Sequence, residues 1–597
     1  MPALAISPPM PQNEFMVSIF SANRGASRRL PSQKTVAYFC AEYAISDALP
    51  IYSGGLGVLA GDLVQQAALA ELPFTAIGLF YKKGYFHQHL EPDGQHESTT
   101  DINPDQVPLT LLQTHHGDTL LIEVPIQEKI VYAQVWRYPV GQNFLYLLDT
   151  DHWKNTAEDK QITDQLYSGG PDKRIQQELV LGIGGYRLLK ALGISPDVYH
   201  MNEGHSAFLS LELIRENMAA GFAFERALSD ARRKLVFTNH TLVPAGNDVF
   251  PYDLVGYYLG KYANESGITM ERLMALGKLD EQPGTLSVTM LAMRVSQMSN
   301  AVSRLHAKKA VEMWPDFKLE SVTNGVHLPV WVAPELQHLW DQAYPLWRHQ
   351  ASQAAPWKAI SRIPDQTLWD THLHLKSRML DEVYARTGIR LEDDVLTVVW
   401  ARRFASYKRP DLLFSDIERL KKLLFSSDKP IQVIIAGKSH PADGQGKQII
   451  EHIDNLAQYD LKHRAVFVDD YSISLARFLV SGADIWLNTP IFGLEASGTS
   501  GMKASANGVL QCTVPDGWAY EVDWYGLGFS LPIDKAETAI YDLLEKKIIP
   551  LYYKRGKTGI PDAWVSMMKR TITIVSPRFS SARMLEDYQS KMYNKLS

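Results

Sequence analysis

At 597 residues the chain is too long for one compact core and calls for at least two large domains. Its 45% hydrophobic and 21% charged residues fit an ordinary globular protein, and a formal net charge of −6 excludes a global basic field for nucleic acid. Two cysteines exclude a disulfide framework and argue against a thiolate zinc site, so a reducing compartment, the cytoplasm, is expected; no apolar run is long enough to span a membrane.

Residues 1–34 lack the apolar stretch of a secretory signal. Their Arg and Ser content also fits an organelle transit peptide, but a loosely ordered extension is the reading taken. "TVAYFCAEY" then reads as a buried strand, "GLGVLAGDLVQQAALAEL" as a helix and "FTAIGLFYK" as a second strand. "TLLIEVPI", "IVYAQVWRYPV" and "NFLYLLDTD" read as inserted antiparallel strands, and "KRIQQELVLGIGGYRLLKAL" as one helix. "DVYHMNEGH" and "KLVFTNHTL" are strands that run into polar loops. The pattern restarts after "SVTNGVHLPVWVAP" (321–334), where Asn, Gly and Pro interrupt it. "VLTVVWARRF" is strand-like, "RPDLLFSDIERLKKLLFSS" helix-like, and "IQVIIAGKS", "AVFVDDY" and "ADIWLNTP" supply further strands. Strand–helix alternation implies parallel sheets covered by helices on both faces. Two such series predict an α/β protein of two doubly wound, Rossmann-like domains facing a central cleft, over 35–325 and 326–597. Ligands would sit at the carboxyl ends of the strands.

The chemistry-bearing residues share that address. Gly54, Gly55 and Gly57 precede a helix, where bare backbone could approach an anion or simply form a tight turn. Asn202, Glu203, His205, Asn239, His240 and Asp248 follow two strands; no helical H-E-x-x-H spacing supports a metal, and none is expected. Arg402, Arg403, Lys408 and Arg409 follow "VLTVVW", which favours a phosphate site over a solvated basic face. "LEASGTSGMKASANG" (494–508) sets Glu495, Ser497, Gly498, Thr499, Ser500 and Gly501 before Lys503 at an apparent helix start. It is no P-loop, since G-x-x-x-x-G-K-[ST] is absent. A lysine in a cleft near other cations could form a Schiff base with an aldehyde cofactor that carries a phosphate. It could equally point at solvent or a sugar hydroxyl, and the pattern alone leaves both readings open.

"SGGLGVLAGD", "MNEGH", "FTNHTLVP", "TNGVH", "ARRFASYKR" and "EASGTSGMKASAN" occur in one order over most of the chain. In this the sequence resembles the α-glucan phosphorylases of glycogen, starch and maltodextrin, and the shorter bacterial-type members in particular. The resemblance implies the GT-B type of glycosyltransferase architecture. It also implies reversible phosphorolysis of α-1,4-glucan by inorganic phosphate to glucose 1-phosphate, with retained configuration. On it, Lys503 carries pyridoxal 5'-phosphate as a Schiff base, and Thr499 and Ser500 hold the cofactor phosphate. Tyr471, Trp331, Arg402, Gly54 and Gly55 are further cofactor neighbours. Arg403 and Lys408 serve the substrate phosphate, His240 the reacting sugar, and Leu56, Asn324, Tyr407, Glu495, Ser497 and Gly498 line the glucosyl site. The family is often dimeric, and neither nucleic acid nor membrane is an expected partner. Departures from the family pattern are Ile491–Phe492, where shorter relatives often carry basic residues, Ala506 after the lysine, Arg402 for a lysine, and Ser500–Gly501. Two rival readings are a sugar-nucleotide glycosyltransferase of the same architecture, since such enzymes often place a glutamate near where Lys503 stands, and a non-catalytic glucan-binding or regulatory protein that keeps the scaffold.

Overall fold

The computed structural model describes residues 33–91, 94–242 and 247–596. Apart from Gln33 and Lys34, the extension expected over 1–34 lies outside the described residues.

Two sheets organise the chain. The larger has ten strands. Seven run parallel, in the order Glu320–Ser321, Met298–Ala301, Leu235–Asn239, Val198–Asn202, Val36–Phe39, Phe74–Leu79 and Asn143–Asp149. Their central members, such as VAYF and LVFTN, are buried along their whole length, as strands covered on both faces must be. The sheet then turns antiparallel through Lys129–Val140, which pairs with Leu121–Ile126 and Thr110–Leu111. Along Lys129–Val140, Val131, Ala133 and Val135 are buried in alternation, so one face of the insertion closes on the core.

The second sheet has six parallel strands, ordered Ala465–Val468, Ile431–Ala436, Leu396–Ala401, Ile485–Asn488, Leu510–Thr513 and Gly528–Ser530. In chain order this is 3-2-1-4-5-6, the doubly wound arrangement. Its switch point, between Leu396–Ala401 and Ile485–Asn488, opens a crevice at the carboxyl ends of those strands.

Buried apolar residues form two cores. One spans 36–322 and takes in Met584, Leu585, Tyr588, Met592, Tyr593 and Leu596; the other spans 326–582 and takes in Ala44 and Val58. The last helical turns are therefore packed on the first sheet, where His200 Nδ1 meets Tyr593 Oη at 2.8 Å. A hairpin, His87–Glu91 with Gly94–Ser98, reaches the second sheet's loops, and the Gln88 amide donates to Asp470 Oδ1 at 3.2 Å.

Two helix expectations need correcting. Residues 173–192 are not one regular helix: a π turn, Val180–Gly184, separates Pro171–Leu179 from Gly185–Ala191. Glycine permits the close approach there, since a Cβ on Gly182 would lie 2.6 Å from the Leu209 nitrogen. After Arg409 the helix is delayed to Ile417–Leu424, because the Asp416 side chain caps it by accepting from the Arg419 amide at 2.9 Å. No helix among the described residues is long and apolar enough to cross a membrane.

Candidate active site

The strand Leu396–Ala401 delivers Arg402 and Arg403 into the second sheet's switch-point crevice, and a short turn, Ser406–Lys408, brings Lys408 beside them. Arg402 and Lys408 are buried; Arg403 is exposed and borders Tyr407 and Tyr85. The loop after Ile485–Asn488 returns Glu495 to the same place. Its carboxylate accepts from Arg402 Nη2 at 2.8 Å and from Lys408 Nζ at 2.8 and 3.1 Å. Burial pushes the Glu495 carboxyl upward, but Arg402 and Lys408 outweigh it and hold the group down to about 2. Asp516 fixes this loop by accepting from the backbone amides of Gly493 and Glu495 at 3.0 and 3.1 Å. Gly498, at φ 81°, closes the turn in a conformation that glycine adopts without strain. Arg402 Nε, buried, has no hydrogen-bond partner.

Thr499 leads into the helix Ser500–Ala506, whose first turn has no side-chain cap. Lys503 is buried on this helix, and its Nζ lies 3.7 Å from the centroid of the Trp331 ring. Burial lowers the Lys503 amine to about 8, opposed by the charge of Asp62. Asn507 ties the two elements together. It donates to the Trp331 and Lys503 carbonyls at 2.8 and 2.9 Å and accepts from the Ala333 amide at 2.8 Å. Ser500 Oγ accepts from Trp486 Nε1 at 3.3 Å. Tyr471 lies within the field of Arg402 and packs on the second core.

The glycine loop opens the helix that carries Asp62, the charged group acting on Lys503. The helix Gly55–Leu69 also begins without a side-chain cap, so its first amides are free to meet an anion. A Cβ on Gly54 or Gly55 would meet nothing within 4 Å. Packing within the chain therefore does not require glycine there; open space lies in front of the backbone. Glu42 holds the loop from behind, accepting from the Ser53 and Gly54 amides at 2.7 and 3.2 Å, while Tyr167 Oη donates to it at 2.7 Å. Leu56 is partly buried against the first core.

His240 stands at the end of Leu235–Asn239. Its Nε2 meets Asn202 Oδ1 at 2.5 Å and its backbone amide donates to Glu203 Oε2 at 2.8 Å. Burial drives the imidazole well below its usual range, and the neighbouring His306, His200 and His205 push the same way. Glu203 holds its position with φ 71°, in a sparsely populated backbone region. Burial raises its carboxyl to about 8, despite the amide donors. Helix Arg304–Met313 bridges the two halves: His306 Nε2 meets Asn239 Oδ1 at 3.0 Å, and Ser303 Oγ at the helix start donates to the Ala496 carbonyl at 2.6 Å.

The structure thus joins Arg402, Lys408, Glu495 and Gly498 directly, and Lys503 with Trp331. Asn324 and Ser497 are buried with side-chain oxygens lacking a partner, and the Tyr407 backbone carbonyl holds the loop by accepting from the Ile491 amide at 2.7 Å. His205 and Asp248 belong to a separate group: Arg174 reaches Asp248 Oδ2 at 2.9 Å and His205 Nδ1 at 2.7 Å. With Glu178 these form a compact set of metal-type ligands, but the Arg174 guanidinium sits among them. Sequence reasoning missed Glu42, Asp62, Asn507 and Asp516. A signal existed for Asp62, the one charged side chain on an otherwise apolar and amide-bearing helix.

Two doubly wound sheets, with a buried lysine and a cation cluster at one switch point, agree with the GT-B architecture that the resemblance implies. Residues 195–524 match the family described as carbohydrate phosphorylase. The chain is 41% identical to the maltodextrin phosphorylase of Thermococcus litoralis, over 94% of this chain and 71% of that protein. It is 37% identical to the glycogen phosphorylase of Mycobacterium tuberculosis, over 95% and 71%, and 35% identical to that of Aquifex aeolicus, over 98% and 90%. The chain belongs to the carbohydrate phosphorylase family.

Proposed function

We propose that this enzyme catalyses the reversible phosphorolysis of α-1,4-glucan. It would transfer the non-reducing-end glucosyl residue to inorganic phosphate and release α-D-glucose 1-phosphate with retained configuration. The observation that supports the reading is a buried lysine amine on an uncapped helix start just after the loop whose Glu495 pairs with Arg402 and Lys408, with a second uncapped helix start carrying Asp62 beside that amine. Two phosphate groups in contact repel one another unless cations and helix termini surround them, and this crevice has the parts for both.

The residues fit pyridoxal 5'-phosphate. Lys503 is buried without an ion-pair partner among the described residues, the Gly54–Gly55 backbone faces open space, and Arg402 Nε is unpartnered. Lys503 would hold the group covalently, with the Thr499–Ser500 amides, Arg402 and the glycine loop around its phosphate, and Trp331 and Tyr471 beside its ring. When bound, the cofactor supplies a second phosphate group that can give and take a proton beside the substrate phosphate. Arg403, exposed in the cleft, presents a planar fork to the incoming phosphate. Lys408 and Arg402 compensate its charge once Glu495 turns from them toward the glucosyl hydroxyls. His240, kept neutral by burial, adds no positive charge next to an oxocarbenium-like sugar and leaves its backbone carbonyl for that side. No pair of free acid and base carboxylates is needed, because phosphate performs both roles.

On this reading the chain divides into a glucan-binding domain over 35–325 and a cofactor-bearing domain over 326–597, works in the cytoplasm, and pairs as a homodimer. The test is glucose 1-phosphate release from maltodextrin or glycogen in the presence of phosphate. Product formation that depends on phosphate supports the reading; hydrolysis to glucose, or transfer from a sugar nucleotide alone, contradicts it.

A further inference from the structure

Asp62 is the single charged residue on Gly55–Leu69, and it is buried. A carboxylate inside an apolar helix face is unfavourable unless its oxygens are held. Both are: Trp331 Nε1 donates to them at 2.9 and 3.0 Å. The same indole presents its face to Lys503 Nζ at 3.7 Å. One ring is thus fixed at its edge by Asp62 and carries the amine on its face, where the aromatic quadrupole attracts a cation. The surroundings are otherwise sparse in charge. From Ile473–Gly482, Arg477 faces Asp62 but pairs with Asp47 at 3.1 Å. From the 323–331 segment, His327 offers Asp62 its backbone amide, while its ring meets Gln66 Oε1 at 3.2 Å. Asp62 is the charged group that acts on the amine.

We propose that Asp62 is a positioning residue for attachment of the aldehyde cofactor: through the Trp331 indole it aims the Lys503 amine, and its charge sets how much of that amine is neutral. The inference rests on the reading of Lys503 as the cofactor lysine. An amine must be neutral to add to an aldehyde. As the carbon–nitrogen double bond forms, water leaves with the aldehyde oxygen and both amine protons. A carboxylate nearby favours the ammonium form and opposes the effect of burial, so attachment becomes pH-dependent near neutrality.

Asp62→Asn keeps a carbonyl oxygen for Trp331 Nε1 and removes the charge; Asp62→Glu keeps the charge. Full-length protein freed of cofactor is mixed with pyridoxal phosphate across a pH series, reduced with borohydride and mapped by peptide mass. In the unaltered chain, labelling at Lys503 should rise with a midpoint near 8. For Asp62→Asn the midpoint should fall by about one pH unit, and for Asp62→Glu it should return toward that of the unaltered chain. A midpoint in Asp62→Asn equal to that of the unaltered chain overturns the proposal. Absence of any adduct at Lys503 in the unaltered chain is a separate result, which removes the cofactor reading and this proposal with it.

Discussion

Replacing Glu495 with Gln tests how the crevice balances its charge. In the structure one carboxylate serves two buried cations, Arg402 and Lys408. Holding that carboxyl at about 2 rather than its ordinary 4.5 corresponds to about 3 kcal/mol favouring the ionised form. Removing the charge also leaves two buried cations uncompensated, and breaking a buried pair costs about 3–5 kcal/mol. Glu495→Gln should therefore be less stable by about that amount in phosphate-free buffer near neutral pH. The folded carboxyl is depressed, so its contribution is present above 4.5 and is lost as pH falls from 4.5 through about 2; the gap between the two proteins should close over that window. Phosphate should stabilise the variant more than the unaltered protein, because in the latter it competes with Glu495 for the same cations. Denaturant unfolding with and without phosphate reads both quantities. Equal stability without phosphate, or equal gains with it, would refute the reasoning.

Other consequences can be measured separately. Gly54→Ala adds a methyl group that meets no protein atom within 4 Å, so stability should change by less than about 0.5 kcal/mol while cofactor retention and turnover fall. A loss of stability with function intact would contradict the loop's assignment to ligand. Arg403→Ala should cost about 1.5–3 kcal/mol of phosphate interaction, seen as a larger rise in KM for phosphate than for glucan. Equal effects on both substrates would remove Arg403 from the phosphate site. Asn507→Ala removes two hydrogen bonds that join the Lys503 helix to the Trp331 segment and a third, to the Lys503 carbonyl, within the helix end. It should destabilise the fold by about 1–3 kcal/mol and slow cofactor attachment, as thermal melts and absorbance would report.

Much of this was legible in the sequence because local rules governed it. Runs such as VAYF, LTVVWA and IQVIIA are apolar throughout or nearly so, as doubly covered strands must be, and the polar residues that follow each run therefore mark the sheet edge. What stayed hidden depends on contacts far apart in the chain. Glu495 reads as a sugar ligand within its motif, yet its partners lie 87 and 93 residues earlier. Glu42 supports the glycine loop and is itself held by Tyr167, 125 residues later. The π turn at Val180–Gly184 was invisible because a regular helix and a π turn share one apolar pattern.

The central claim, a cofactor tethered at one amine with its phosphate set against substrate phosphate, is tested most directly on the protein as purified. Borohydride reduction followed by peptide mass mapping should show one pyridoxal phosphate adduct, on Lys503. A fully active preparation in which Lys503 is unmodified, or in which the adduct maps to another lysine, would contradict it.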